Sequence, residues 1–212
     1  KTFKPSNLTS FIKNKIKHGK IDAEIEFYLD EENSLNNFIT RGNVTDLRTE
    51  VIKGLELSNA SFSFLADNTD IIVKNLSANN EHFTLQEGDL KASFSDEINI
   101  ETNLKSILNL NYKSKKNEEF LSNLSNYKYL SSIRANLNNN LKLEFDKTYK
   151  LKNFDFRNKG KIINADLSLK DFKLDYLEGE KIDKLSFIET DIQTNLSPKK
   201  NFFNLSGKYS LN

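Results

Sequence analysis

The residues that could do chemistry are few, and their spacing serves none of the common reactions. Histidine occurs twice, at His18 and His82. An imidazole base or metal ligand needs partners that the local fold brings to one point. His18 instead lies among Lys13, Lys15, Lys17 and Lys20, and His82 follows Glu81 in a polar link, so both read as exposed surface residues. The acidic pairs Asp67 with Asp70 and Glu118 with Glu119 lack the oxygen-ligand spacing of a calcium loop and read as turn and helix-start residues. Cysteine is absent, which removes disulfides, thiolate nucleophiles and thiolate metal sites, and leaves the redox compartment open. Nor does the chain carry a phosphate loop, a dinucleotide glycine pattern, a nucleophile elbow or a paired-histidine zinc motif. Carboxylates on neighbouring strands could form a glycosidase pair, but with 30 acidic residues any sheet brings some together. The expectation is a protein with no catalytic residues, no metal and no cofactor, and not an enzyme.

The elements that would have to position any site are almost all strands. From Lys20 to Asp30, Ile21, Ala23, Ile25, Phe27 and Leu29 alternate with Asp22, Glu24, Glu26 and Tyr28, the period-two pattern of a half-buried strand. Similar alternation occupies Ser61–Leu65, Phe83–Phe94, Ile98–Leu104, Leu141–Phe145, Ile163–Leu169 and Phe203–Leu211. A turn is expected at Asp30–Ser34 and a second strand at Phe38–Leu47, followed by short apolar runs at Leu55–Leu57, Ala60–Leu65, Ile71–Leu76, Phe83–Leu85, Leu90–Phe94 and Ile98–Leu110. The links between these runs are short and polar, which favours antiparallel neighbours, since parallel crossovers need a dozen or more residues. Helical spacing appears at Leu8, Phe11, Ile12 and Ile16, with Gly19 as the stop, and again over Asn117–Tyr129. The resulting division is a short helix at 1–18, a β meander at 19–112, a helical insertion at 113–130 and a second meander at 131–212, all in one structural unit.

Gly42, Gly88 and Gly207 each sit between two alternating stretches, and Lys159-Gly160-Lys161-Ile162 partly repeats the arrangement. Strand glycines commonly mark a bulge or bend, and a regular series of them would suit an elongated, solenoid-like body. Ordinary turn glycines fit the pattern equally well. The asparagine cluster Asn136, Asn138, Asn139, Asn140 reads as compositional bias.

Composition narrows the partners. Lys plus Arg (31) balances Asp plus Glu (30), so no net field draws the chain to nucleic acid, and nucleic acid is not an expected partner. No apolar run approaches the roughly 20 residues of a membrane-spanning helix. Methionine is missing even at position 1, which suits a segment of a longer protein whose anchor lies elsewhere. Sixteen phenylalanines, many at the inward parity of strands, make the apolar face the informative feature. Such a face must be buried against a second sheet, against the same sheet curled on itself, or against an apolar ligand.

The long amphipathic meander, the stretch Gly54-Leu55-Glu56-Leu57-Ser58-Asn59-Ala60-Ser61-Phe62-Ser63-Phe64, the following Ile71-Ile72-Val73-Lys74-Asn75-Leu76-Ser77 and the Leu85-Gln86-Glu87-Gly88-Asp89-Leu90 step resemble the AsmA-like superfamily of bacterial envelope proteins, of the TamB and YhdP type. The resemblance covers most of the chain from about Lys20. It implies a protein anchored in the inner membrane by a region outside this segment, whose periplasmic body is a long curled β-sheet. Phospholipid acyl chains would move through its apolar groove toward the outer membrane, and the family has no catalytic residues to transfer.

The fold expected is therefore all-β, mainly strand with one or two short helices, as an elongated, curled antiparallel sheet forming an open apolar groove. Each acyl CH₂ withdrawn from water is worth about 0.8 kcal/mol, so a continuous trough would lower the barrier to leaving a bilayer while headgroups stay in solvent. The candidate lining is Ile25, Phe27, Phe62, Phe64, Leu90, Ala92, Phe94, Ile98, Ile100, Leu141, Leu143 and Phe145. The alternatives are a structural or adhesive β-solenoid or sandwich whose apolar face is a sealed core, and an outer-membrane barrel. The absence of Trp and the frequent charges argue against the barrel.

Overall fold

The computed structural model describes residues 15–52, 55–95, 97–111, 129–169 and 183–212. Ten strands form one antiparallel sheet in simple sequence order: β1 (Ile16–Leu29), β2 (Leu35–Ile52), β3 (Leu55–Ala66), β4 (Asp70–Asn79), β5 (Phe83–Phe94), β6 (Ile98–Asn111), β7 (Leu130–Phe145), β8 (Leu151–Ser168), β9 (Lys184–Ser197) and β10 (Lys200–Leu211). The sheet curls but does not close, leaving β1 and β10 as its edges. The all-β antiparallel architecture expected from the alternation is the one observed.

Short links explain why the order is so simple, and three of them share one construction. Asp30 Oδ1 accepts from the backbone N–H groups of Glu32 (2.9 Å) and Ser34 (2.8 Å). Asp67 Oδ1 accepts from Thr69 (2.7 Å) and Asp70 (2.8 Å), and Asp146 Oδ1 from Thr148 (2.8 Å) and Lys150 (3.1 Å). A short carboxylate that satisfies turn amides fixes where one strand ends and the next begins. The reading of Asp30–Ser34 and of Asp67 with Asp70 as turn residues agrees with this, while Glu118 and Glu119 lie outside the described residues.

Several boundaries differ from the expectation. Gly19 does not end a helix: Ile16, Lys17 and His18 already belong to β1, and Gly19 sits inside it against Leu47. Residues 1–14 of that expected helix lie outside the described residues. So does almost all of the 113–130 insertion with its helix over Asn117–Tyr129, while Leu130 already opens β7. Apolar runs expected as separate strands fuse, Leu55–Leu57 with Ala60–Leu65 in β3 and Phe83–Leu85 with Leu90–Phe94 in β5. The polar residues between them are bulges. Asn59 has φ 50, Asp46 (φ 55), Asn75 (φ 55) and Glu189 (φ 48) do the same in their own strands, and the β5–β6 register slips between Leu85 and Glu87. A bulge inserts one extra residue, so apolar parity changes across it and a continuous face looks interrupted in sequence.

Gly42, Gly88, Gly160 and Gly207 lie inside strands, none in a turn. At Gly160 an added Cβ would come 2.1 Å from the Asn136 carbonyl oxygen, and at Gly42 it would come 2.2 Å from the Asp22 carbonyl oxygen. Only a residue without Cβ permits so tight an approach of neighbouring strands. The alternation expected over Ile163–Leu169 holds at Ala165 and Leu167, but the β7–β8 register shifts between Arg134 and Ala135, so Ile162 is buried instead of Ile163.

Candidate functional site

Directly paired residues of antiparallel strands share a face, so the register assembles the inner face row by row. One row runs Ile25–Thr40–Ala66–Ile71–Ala92–Ile100–Leu143–Phe154. The next runs Phe64–Val73–Leu90–Thr102–Leu141–Phe156. Nearer the Asp30, Asp67 and Asp146 turns, Phe94–Ile98–Phe145 and Phe27–Phe38 pair. Phe62, opposite Val44, packs its ring edge-on to Phe64 at 6.5 Å between centroids. Every residue of the candidate lining therefore lies on one face. Sequence reasoning passed over Phe38, Ile71, Val73, Phe154 and Phe156, which continue the same rows. Their alternation was the available signal.

Following these rows through all ten strands, no inner-face position among the described residues carries a charged side chain. The outer face is the opposite, a field of cross-strand ion pairs that includes Arg41–Glu24 (2.9 Å), Lys74–Asp89 (2.7 Å), Lys142–Glu101 (2.9 Å) and Lys161–Glu189 (2.7 Å). Lys74 beside Asp89 holds that carboxyl below the usual carboxylate range, and Glu24 holds the Arg41 guanidinium above its usual value. Lys91, on the outer face, reaches Asp70 at 3.8 Å. Such exposed pairs contribute little individually to stability; their consequence is that the outer face stays wet.

Several clefts open on that wet face among the described residues, two of them over the middle strands. The larger, about 450 Å³, runs over the backbone of Gly88, Leu104, Asn139 and Asn158, between a ridge of Glu87, Lys105 and Lys159 and one of Asp89, Asn103 and Arg157. The smaller, about 230 Å³, runs over Ile100, Leu143 and Phe154, between Asn99 with Glu144 and Glu101 with Lys142. Both are spaces between rows of polar side chains on the outer face.

On the inner face, the row through Leu104, Asn139 and Asn158 crosses the middle of the strands. Beyond it lie two packed clusters, Ala60, Ala78 and Leu85 with Leu47, Leu57 and Phe83, and Ala135, Ile162 and Ala165 with Leu108, Ile133 and Phe187. On the edge strands the face remains open: Phe27 is 64% exposed and Phe203 66%.

The two histidines separate. His18 is exposed as expected, with Nε2 3.1 Å from Asp46 Oδ2. His82, expected on the surface, is instead 2% exposed. The β4–β5 link folds it inward: its N–H donates to Asn80 Oδ1 (2.9 Å), its carbonyl accepts from the Asn109 N–H (2.8 Å), and its ring lies 3.4 Å from the Glu81 carboxylate.

Among the described residues there is no cluster of three His, Asp or Glu side chains placed to hold a metal, and no helix long and apolar enough to cross a membrane. Comparison with protein-family models, curated proteins and solved structures gives no match.

Proposed function

We propose that this chain is a non-enzymatic segment of a lipid conduit, whose uncharged inner face carries phospholipid acyl chains while headgroups stay in water. The observation that carries the reading is the contrast of faces: no charge on one side of the described strands, ion pairs across the other. A face built only to keep a sheet soluble needs no continuous apolar stripe, and a large apolar surface left accessible marks a binding region. The AsmA-like resemblance supplies the setting proposed with it: a periplasmic body, anchored to the inner membrane outside this segment, passing phospholipid toward the outer membrane. Sliding along an apolar trough also fits a face whose described positions carry no charged recognition cluster.

The two Ala-centred clusters favour a second reading, in which the face is the sealed core of a structural or adhesive β-module. Native mass spectrometry of the chain, purified without detergent and washed extensively, separates the two. A conduit retains stoichiometric phospholipid, loses it in Phe64→Glu and Phe94→Glu, and keeps it in Lys91→Ala on the outer face. A folded β-protein with no bound lipid supports the sealed module.

A further inference from the structure

The mid-strand row is where the apolar inner face turns polar. Leu104 pairs with Asn139, Asn139 with Asn158, and Asn158 with Thr194, and Asn158 and Thr194 are buried. The amides form a directional chain. Asn139 Nδ2 donates to the Leu104 carbonyl oxygen (3.4 Å) and to Ser106 Oγ (3.1 Å), which leaves Asn139 Oδ1 as an acceptor, and Asn158 Nδ2 donates to it at 2.6 Å. Because a backbone carbonyl can only accept, it orients both amides. The chain then ends on Asn158 Oδ1, a buried acceptor with no hydrogen-bond partner among the described residues, in a side chain 5% exposed. Thr102 Oγ1, on the neighbouring row of the same face, is also buried and has no hydrogen-bond partner among the described residues. A buried polar atom left unpaired costs about 1–3 kcal/mol, so packing alone does not account for this row. The inner-face neighbours two residues away along the strands, Leu137, Leu141 and Phe156, are half-buried.

We propose that Asn158, oriented by Asn139, is a polar subsite in the groove that accepts a hydrogen bond from a hydroxyl group on an otherwise apolar acyl chain, with Thr102 as a second partner along the chain. This rests on the reading of the inner face as an acyl-chain surface. The chemistry is selective. Asn158 Oδ1 only accepts, so a carboxylate or a fully ionised phosphate, with no proton to give, is repelled there. A hydroxyl donates to it, and the apolar rows on both sides hold the flanking methylenes.

The test compares octadecanoic acid with a mid-chain hydroxyoctadecanoic acid, by competition against a fluorescent fatty acid on the delipidated chain. The expected result is about five-fold tighter binding of the hydroxylated chain, the size of one net neutral hydrogen bond. That preference, read as the ratio of the two affinities within each variant, disappears in Asn158→Leu and shrinks in Thr102→Val. Thr102→Val keeps the side-chain size, so it reads the subsite even if Asn158→Leu fails to fold. Equal affinity of the wild-type chain for both acids overturns the subsite and leaves the groove standing. A hydroxyl preference that survives both substitutions also overturns it, assigning the orphaned oxygens to ordered water. Failure of both acids to bind overturns subsite and groove together.

Discussion

The two flanks of the mid-strand row are built from different residues on the same face. On the far flank, Ala60, Ala78, Ala135 and Ala165 are buried to within a few per cent, in clusters with Leu, Ile and Phe from adjacent strands. On the flank nearer the Asp67 and Asp146 turns, where Ala92 and Thr102 are buried, the face also carries the large side chains Phe64, Phe145, Phe154 and Phe156, none of them buried, and Phe94 is 41% exposed. Small residues packed to completion make a core. Large rings left half in water make a surface with capacity still to bury, and the difference places the packed clusters on one flank and leaves open apolar area on the other.

The largest expected effect is on the far flank. Ala135→Asp buries an unpaired charge at a position with 0% exposure, and should cost about 3 kcal/mol or more, read as a lower urea midpoint. Gly160→Ala sets a Cβ against the Asn136 carbonyl and should cost about 1–3 kcal/mol by the same measurement. On the turn flank, Phe94→Glu should change stability by less than about 1 kcal/mol, because its ring is already well exposed. A cost for Phe94→Glu equal to that of Ala135→Asp would erase the distinction between the flanks.

The smallest effect belongs to the Asp turns themselves. The backbone N–H groups of Thr69 and Asp70, with the Thr69 hydroxyl, hold the Asp67 carboxyl below its usual range, and the Thr148 hydroxyl and Lys150 N–H do the same for Asp146. A carboxyl whose folded pKa is depressed stabilises the protein above the ordinary carboxylate range, and that contribution disappears as pH falls through the folded value. Wild-type stability should therefore decline from about pH 5 toward about pH 3. Asp67→Asn should flatten that decline slightly, measured as the denaturation midpoint against pH.

Much of the site was legible because parity is a local property. Ile98 and Ile100 in β6, like Leu141, Leu143 and Phe145 in β7, alternate without interruption, and the β6–β7 pairing runs without a register shift to change their face. Asn139 and Asn158 were legible in the same way, as polar residues at apolar parity, but a run of asparagines in an asparagine-rich chain hides that signal. His82 could not be read, since its burial depends on how the β4–β5 link folds against Asn109 of β6.

The sequence alone determined the strand class, the antiparallel neighbours and the composition of each face, because side-chain alternation and link length act over a few residues. Tertiary structure decided what spans strands. It set the bulges at Asp46, Asn59, Asn75 and Glu189 that keep the apolar face continuous through changes of parity, the approaches that require Gly42 and Gly160, and the amide chain that leaves Asn158 Oδ1 unpaired. Each depends on the register between strands, and register is fixed only when every strand has found its neighbour.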